Sequence, residues 1–251
     1  MRIVNTLRGI LMMVQNTRIF EPRKHFKNKR IAIIGAADSA FEEANGDYIN
    51  SFDYIVRVNK APHSLTPEKR RFVGSRTDIL FHSFFELTEG GGGVIDWQLY
   101  SKQGIKFVIN PNNDLKGLRA HLNFYKRHLN PRKTYVLPHS TYKKIKEKFG
   151  NWVPTVGFSA LYAAINSGCK ELYITGFTFF KTPYADDYRD EVKDVEKNNQ
   201  FMKKQGFHNP DLELNEFLNQ LERQEKTWTK VIMDDALLSI VNRQKMIRNG
   251  R

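Results

Sequence analysis

His208 is one of seven histidines, any of which could take a proton from a hydroxyl near neutral pH, because an imidazole titrates close by. Glu213 lies five residues on, about a turn and a half along a helix, so contact between them needs His208 to sit outside that helix and fold back. Plainer roles stay open: an exposed loop histidine, and a glutamate that stabilises a helix start. A second feature lies at Thr155, Val156 and Gly157, where Pro154 and Thr155 precede an amphipathic stretch that runs to Ser167 and closes on Gly168. The start of such a helix has N–H groups without intrahelical partners and the positive end of its dipole. It is an anion site by construction.

The frame for these groups centres on Ile31 to Asn59. An apolar run, Ile31 to Ile34, stops at Gly35; Ala36, Ala37, Asp38 and Ser39 follow, and a second run goes from Tyr54 to Val58. Such runs suit central parallel strands, buried on both faces. Gly35 lets the chain turn at the carboxyl end of the first strand, the edge where open α/β sheets hold ligands. If the two strands are neighbours, Asn59 shares that edge, and its amide both donates and accepts. The expectation is a nucleotide pocket contacted by Gly35, Ala36, Asp38, Ser39 and Asn59. A dinucleotide cofactor does not fit. Only Gly35 of the three fingerprint glycines is present, and the second strand ends on Arg57, Val58 and Asn59 without an acid for a ribose.

Further strands are predicted at Asp78–His82, Lys106–Ile109, Tyr135–Leu137, Glu171–Thr175 and Lys230–Met233, with Gly176 at the ligand edge. Helices are predicted at Leu118–His128, Tyr142–Phe149, Asp211–Arg223 and Ala236–Ile247. His82 would end near the ligand edge, where an ordinary bond to backbone is an equally good reading. Glu89 to Gly93 reads as a flexible loop able to act as a lid, and the charged stretch after Phe177 as a long loop with Tyr184 and Tyr188 as its aromatics. Near the amino terminus, Ile3, Leu7, Ile10, Leu11 and Val14 share one helical face, in a stretch too short and too charged to span a bilayer. A helix packed on the domain is favoured over one resting on anionic lipid. Residues 1–29 thus read as a helix and basic lead-in, and 30–251 as one α/β domain, Rossmann-like, with a mostly parallel central sheet flanked by helices.

With 251 residues, 40% of them hydrophobic, the chain can bury a sizeable core. Its net charge of +13 favours anionic partners, but basic residues are spread without a recognisable nucleic-acid module, so nucleic acid ranks below a small anionic substrate. The lone Cys169 excludes an intramolecular disulfide, reads as a small buried hydrophobe, and suits a reducing compartment, hence a cytoplasmic location with peripheral membrane contact as an option. Asp186 and Asp187 read as a solvated pair rather than metal ligands, and neither metal nor cofactor is expected.

RVNKAP followed by FVGSRTDILFHS, Arg57 to Ser83, resembles the long sialyl motif of the eukaryotic-type sialyltransferases, glycosyltransferase family 29. Trp152 to Phe177 is similar to the short sialyl motif, and His208 with Glu213 to the very short motif, in the family's order. The resemblance implies a GT-A-like variant of the fold and an inverting, metal-independent transfer from a cytidine monophosphate (CMP) sugar, a sialic acid or the related Kdo, to a glycan hydroxyl. It implies that Asn59 binds the nucleotide, Thr155 to Gly157 the donor's anionic part, and that His208 is the general base. Ala36 and Ala37 stand where the family has asparagine and serine, and Ile31 where Golgi members have the cysteine paired with the short-motif one, here Cys169. No histidine lies between Phe177 and Phe207, where the family has one, so Tyr184 or Tyr188 is expected to serve the leaving phosphate. The alternative is a catalytically inactive nucleotide- or glycan-binding protein of the same fold.

Overall fold

A computed structural model describes residues 2–87, 92–128, 132–188, 194–196, 206–224 and 229–250. Its strands are β1 (Thr17–Ile19), β2 (Arg30–Ile34), β3 (Tyr54–Val58), β4 (Ile79–Phe81), β5 (Phe107–Asn110), β6 (Thr134–Val136), β7 (Glu171–Thr175) and β8 (Lys230–Met233). Among the described residues these form one eight-stranded sheet in the order β1-β6-β5-β4-β3-β2-β7-β8. Every pair is parallel. The helices are α1 (Arg2–Asn16), α2 (Pro22–Phe26), α3 (Gly46–Asn50), α4 (Arg70–Val73), α5 (Trp97–Lys102), α6 (Leu115–Arg127), α7 (His139–Lys146), α8 (Val156–Ile165), α9 (Pro210–Gln224) and α10 (Asp235–Arg248).

The unbroken apolar strands are explained by cover on both faces. Ile31 and Ile33 of β2 join Val56 and Val58 of β3 in a cluster with α8 and α9, while Ala32, Ile34 and Ile55 point the other way, against Ile49, Phe52 and Val73. Each fully buried side chain of this kind contributes roughly 1.5 to 3 kcal/mol. Helix α8 is not amphipathic as expected: every residue but Gly157 is buried, Ser159 included, and it ends at Ile165. A third cluster, with Leu80, Phe84, Tyr100, Val108, Phe124 and Tyr125, lies under α5 and α6. Arg57 is the exception in β3: fully buried, it donates to Thr77 Oγ1 (3.0 Å) and to the carbonyls of Val73 (2.5 Å) and Gly74 (3.1 Å), which fastens α4 to the sheet. Burial lowers its pKa to about 10.

The chain enters the sheet at one edge as β1 and crosses to β2 in the interior. It moves outward from β2 through β6, then returns to the other side of β2 as β7, so the strand order reverses between β2 and β7. A crevice forms at such a point, outside the carboxyl ends of the strands.

The structure departs from expectation near the amino terminus. The stretch read as the amino-terminal helix, residues 1–20, ends in β1, an edge strand with an exposed pattern that carries no apolar signal, and the basic lead-in, Glu21 to Arg30, contains α2. Helix α1 does pack, on α6, but not by its leucine-rich face: Gly9 is buried against Lys126, and Met12 and Met13 reach the third cluster. Leu7, Ile10, Leu11 and Val14 are exposed instead. A glycine permits the close approach that a leucine would block. Of the predicted lid, Glu89, Gly90 and Gly91 fall outside the described residues, as do parts of the long loop after Phe177.

Candidate active site

A cavity of about 460 Å3 opens at the carboxyl edge of the sheet, at the reversal point. Its wall takes Ala36 and Ala37 from the end of β2, Val58 and Asn59 from β3, and Ser83, Phe85 and Leu87 from the loop after β4. Asn112, Asp114, Lys116 and Gly117 follow β5; Tyr142 comes from α7; residues 153–158 and Leu161 lead into and begin α8; residues 176–180 leave β7; and Thr182, Pro183, Tyr184, Tyr188, Phe207, His208 and Glu213 complete it.

Two glycines hold the floor together. A Cβ on Gly35 would lie 2.0 Å from the carbonyl oxygen of Gly176, so the two backbones touch where side chains cannot fit. Close approach, rather than a left-handed turn, is therefore why residue 35 is glycine, whereas Gly176 itself has φ +72°. The amides of this turn are used within the protein: Gly35 N–H donates to Thr175 O (2.8 Å), Ala37 N–H to Gly176 O (3.0 Å) and Asp38 N–H to Pro183 O (3.2 Å). Asp234, which the sequence reading did not single out, locks the same corner. Its Oδ2 accepts from Gly176 N–H (2.8 Å), Thr175 Oγ1 (2.9 Å) and Ser39 Oγ (3.3 Å), while Oδ1 caps α10 through Leu237 N–H (2.8 Å). An aspartate just before an apolar run was the available signal.

Beyond the Phe177 ring, Thr155 caps α8: its Oγ1 accepts from Phe158 N–H (3.0 Å). Thr155 is held in turn by Glu213, whose Oε1 accepts from Thr155 N–H (2.6 Å) and Oε2 from Thr155 Oγ1 (2.9 Å). Glu213 therefore does stabilise a helix start, though that of α8 rather than of its own helix, α9. Its complete burial outweighs these two bonds and raises its pKa to about 8. Val156 and Gly157, the first residues of α8, face the cavity, where the helix leaves N–H groups without intrahelical partners.

His208 lies on the segment leading into α9 and lines the same cavity. Its Nδ1 is 2.6 Å from Val153 O. A carbonyl only accepts, so Nδ1 carries the hydrogen and the lone pair of the neutral ring is on Nε2. One short segment thus joins both groups: Val153 orients the imidazole, and Thr155 to Gly157 open the helix.

Among the predicted contacts, Ala36, Asn59, Thr155, Val156, Gly157, Gly176, Tyr184, Tyr188, His208 and Glu213 are brought together in the wall. Gly35, Asp38 and Ser39 stand behind it. Gly35 is covered by Gly176, Asp38 accepts from Thr182 Oγ1 (2.7 Å), and Ser39 is turned to Asp234. Asn59 Oδ1 accepts from Ser83 N–H (3.2 Å), which aims its donor half elsewhere. Tyr184 and Tyr188 stack at 5.4 Å. Non-glycine residues with left-handed backbone cluster here: Asn59 (φ 51°), Phe179 (50°) and Phe180 (61°), all in the wall. Such conformations cost about 1 to 3 kcal/mol each and persist where surrounding structure imposes them, most often at functional sites.

Lys116 is the one Lys or Arg among the described lining residues, with its ammonium 4.6 Å from the ring centroid of Phe207. The loops after β4 and β5 were not foreseen as parts of the site. Their residue types are ordinary, and only their position after parallel strands marks them. His82 settles into the plainer of its two readings: Phe84 N–H donates to Nδ1 (2.9 Å), Nε2 donates to Gly92 O (2.9 Å), and burial lowers its pKa to about 4. Cys169 is buried and free, with its pKa raised by that burial. Asp187 pairs with Lys69 at 2.9 Å, and among the described residues no group of three or more His, Cys, Asp or Glu is placed to hold a metal ion. No described helix is long and apolar enough to cross a membrane.

Comparison with solved structures gives the same architecture. The monofunctional alpha-2,3-sialyltransferase Cst-I from Campylobacter jejuni aligns with a TM-score of 0.54 at 19% identity, over 84% of this chain and 78% of that one. A mammalian sialyltransferase in complex with Gal-beta-1-3GalNAc-ortho-nitrophenol aligns with a TM-score of 0.51 at 16% identity, over 89% and 78%. The sialyltransferase CST-II in complex with trisaccharide acceptor and CMP aligns at 0.50 and 19%, over 84% of each chain. No match was found among curated proteins. The sequence profile of glycosyltransferase family 29 (sialyltransferase) matches residues 2–226, nearly the whole length. By that match, the chain belongs to glycosyltransferase family 29, the sialyltransferases.

Proposed function

We propose that this protein transfers a sialic acid or Kdo-type sugar from a CMP-sugar to a glycan hydroxyl, with inversion and without a metal. The observation that carries the reading is the joining of His208 to the open end of α8 through Val153, which puts a base and an anion site in one cavity. In the reaction, the acceptor oxygen forms its bond to the anomeric carbon as the bond from that carbon to the phosphate oxygen breaks. The acceptor proton passes to Nε2 of His208, and CMP leaves with the bonding pair. Asn59 contacts the nucleotide. The N–H groups of Val156 and Gly157 face the donor's carboxylate or phosphate, and Tyr184 or Tyr188 donates to the leaving phosphate.

A second reading rests on Ala36 and Ala37, which line the cavity with methyl groups where the family has an amide and a hydroxyl. In that reading the protein binds a nucleotide or glycan without turnover. His208→Ala separates the two. The enzyme reading expects turnover to fall by about 100-fold or more while CMP still raises the melting temperature. Turnover unchanged by the substitution removes His208 from the mechanism. CMP-sugars that bind without reacting in the unsubstituted protein favour the second reading.

A further inference from the structure

Helix α1 is apolar on both faces. Its inward side, Gly9, Met12 and Met13, is occupied by α6 and the third core cluster. Its outward side carries Val4 (66% exposed), Leu7 (63%), Leu11 (56%) and Val14 (69%), with Ile10 (43%) beside them. At 100° per residue, positions 4, 7, 11 and 14 fall in one stripe along the helix. A stripe of large aliphatic side chains in water needs a partner.

We infer that this stripe lies on an anionic lipid bilayer, with α1 in the plane of the interface. Charge decides between a bilayer and a second copy of the chain. Helix α1 and its packing partner α6 contain no aspartate or glutamate, while Arg8 and Arg119 on these helices are exposed; Arg127, exposed as well, is paired with Glu86, and Lys116 belongs to the cavity wall. Arg18, on the edge strand that continues α1, is exposed as well, and the whole chain carries +13. In a twofold pair the stripe meets itself, so the Arg8 and Arg18 of one copy approach those of the other. An anionic surface meets the same arginines with opposite charge, each adding about 1 kcal/mol near the headgroups. Fifteen residues span only about 22 Å, short of the roughly 30 Å hydrocarbon core, so the helix rests on the membrane and does not cross it.

The test is co-sedimentation of the full chain with vesicles of phosphatidylcholine alone and of phosphatidylcholine with phosphatidylserine, at low and high salt. Binding is expected to the anionic vesicles, to weaken with salt, and to be far lower on the neutral ones. Leu7→Gln with Leu11→Gln should reduce it about tenfold or more without altering the thermal melt, because both side chains are exposed. Arg8→Glu with Arg18→Glu should weaken it by at least about tenfold, at about fivefold per cation removed. Equal binding to both vesicle types, or binding unaffected by the leucine pair, overturns the inference. So does a dimer in sedimentation equilibrium that the leucine pair dissociates while vesicles leave the protein in solution, which assigns the stripe to a second copy.

Discussion

Two turns lie on either side of the Phe177 ring at the cavity, and both could have held an anion. The first, Gly35 to Asp38, follows the central strand, where a dinucleotide fold would place its phosphates. The second, Thr155 to Gly157, begins α8. In the first turn the amides of Gly35, Ala37 and Asp38 are bonded to Thr175, Gly176 and Pro183, and only a four-residue 3-10 helix follows, Asp38–Phe41. In the second, Glu213 and the Thr155 cap take the outer donors, and Val156 and Gly157 remain against the cavity at the head of a ten-residue helix. In the proposed function the anion is taken by the α8 turn and not by the glycine turn, whose donors are bonded to Thr175, Gly176 and Pro183.

The largest effect expected from breaking this arrangement is at Gly35. Gly35→Ala drives a methyl into the carbonyl of Gly176 and should cost about 4 kcal/mol or more, read as a collapse of the denaturation midpoint. A variant as stable as the parent would refute the backbone contact. Next is Glu213→Ala, which leaves the N–H and hydroxyl of Thr155 without their acceptor and should cost roughly 2 to 3 kcal/mol.

Glu213 also predicts a pH dependence. Its pKa is raised in the folded state to about 8 from 4.5, so the folded protein holds the proton more tightly than the unfolded chain does. Its contribution is full below 4.5, declines through the interval and is lost above about 8. Glu213→Gln should remove that decline, and parallel melting curves for the two proteins from pH 5 to 9 would show instead that the carboxylate stays ionised.

Thr155→Ala removes the cap, should cost about 1 kcal/mol, and should raise the KM for CMP-sugar more than it lowers kcat. An unchanged KM would detach the α8 turn from donor binding. The smallest effect is reserved for the other turn. Ala37→Ser restores a hydroxyl beside amides that are already bonded, so the Kd for CMP should shift by no more than about twofold, within about 0.5 kcal/mol. A gain of about tenfold would return the nucleotide to the glycine turn.

The residues that were legible in sequence are those where local pattern and tertiary role coincide. β3, β7 and β8 have the bounds expected of them because continuous apolar runs between polar residues leave little choice of register. The start of α8 was visible for a similar reason: a threonine cap before a helical run is a local event, although the helix is buried all round and not amphipathic. Helix α1 misled because its pattern is compatible with either face turned inward, and Gly9 against Lys126 chose the methionine side. Ser83, Lys116 and Phe207 were invisible as site residues. Their neighbourhood is created by strand order, which no segment encodes by itself. The role of Glu213 was hidden likewise, since its partner lies 58 residues earlier in the chain.

The pairing of β2 with β7 also governs how this molecule can be made. β2 is complete at Ile34, but its neighbour on one side begins only at Glu171, about two thirds of the way along the 251 residues. During synthesis the central strand therefore waits with one edge paired to β3 and the other bare, a template for pairing with the wrong chain. Distant parallel pairings are slow to form, since a long loop must close before any contact rewards it. The cavity floor, where Gly35 meets Gly176, closes late in folding. A ribosome that stalls before Glu171 releases a sheet of six strands with the apolar β2 as an uncovered edge, so the segment that completes the cavity floor also covers that edge.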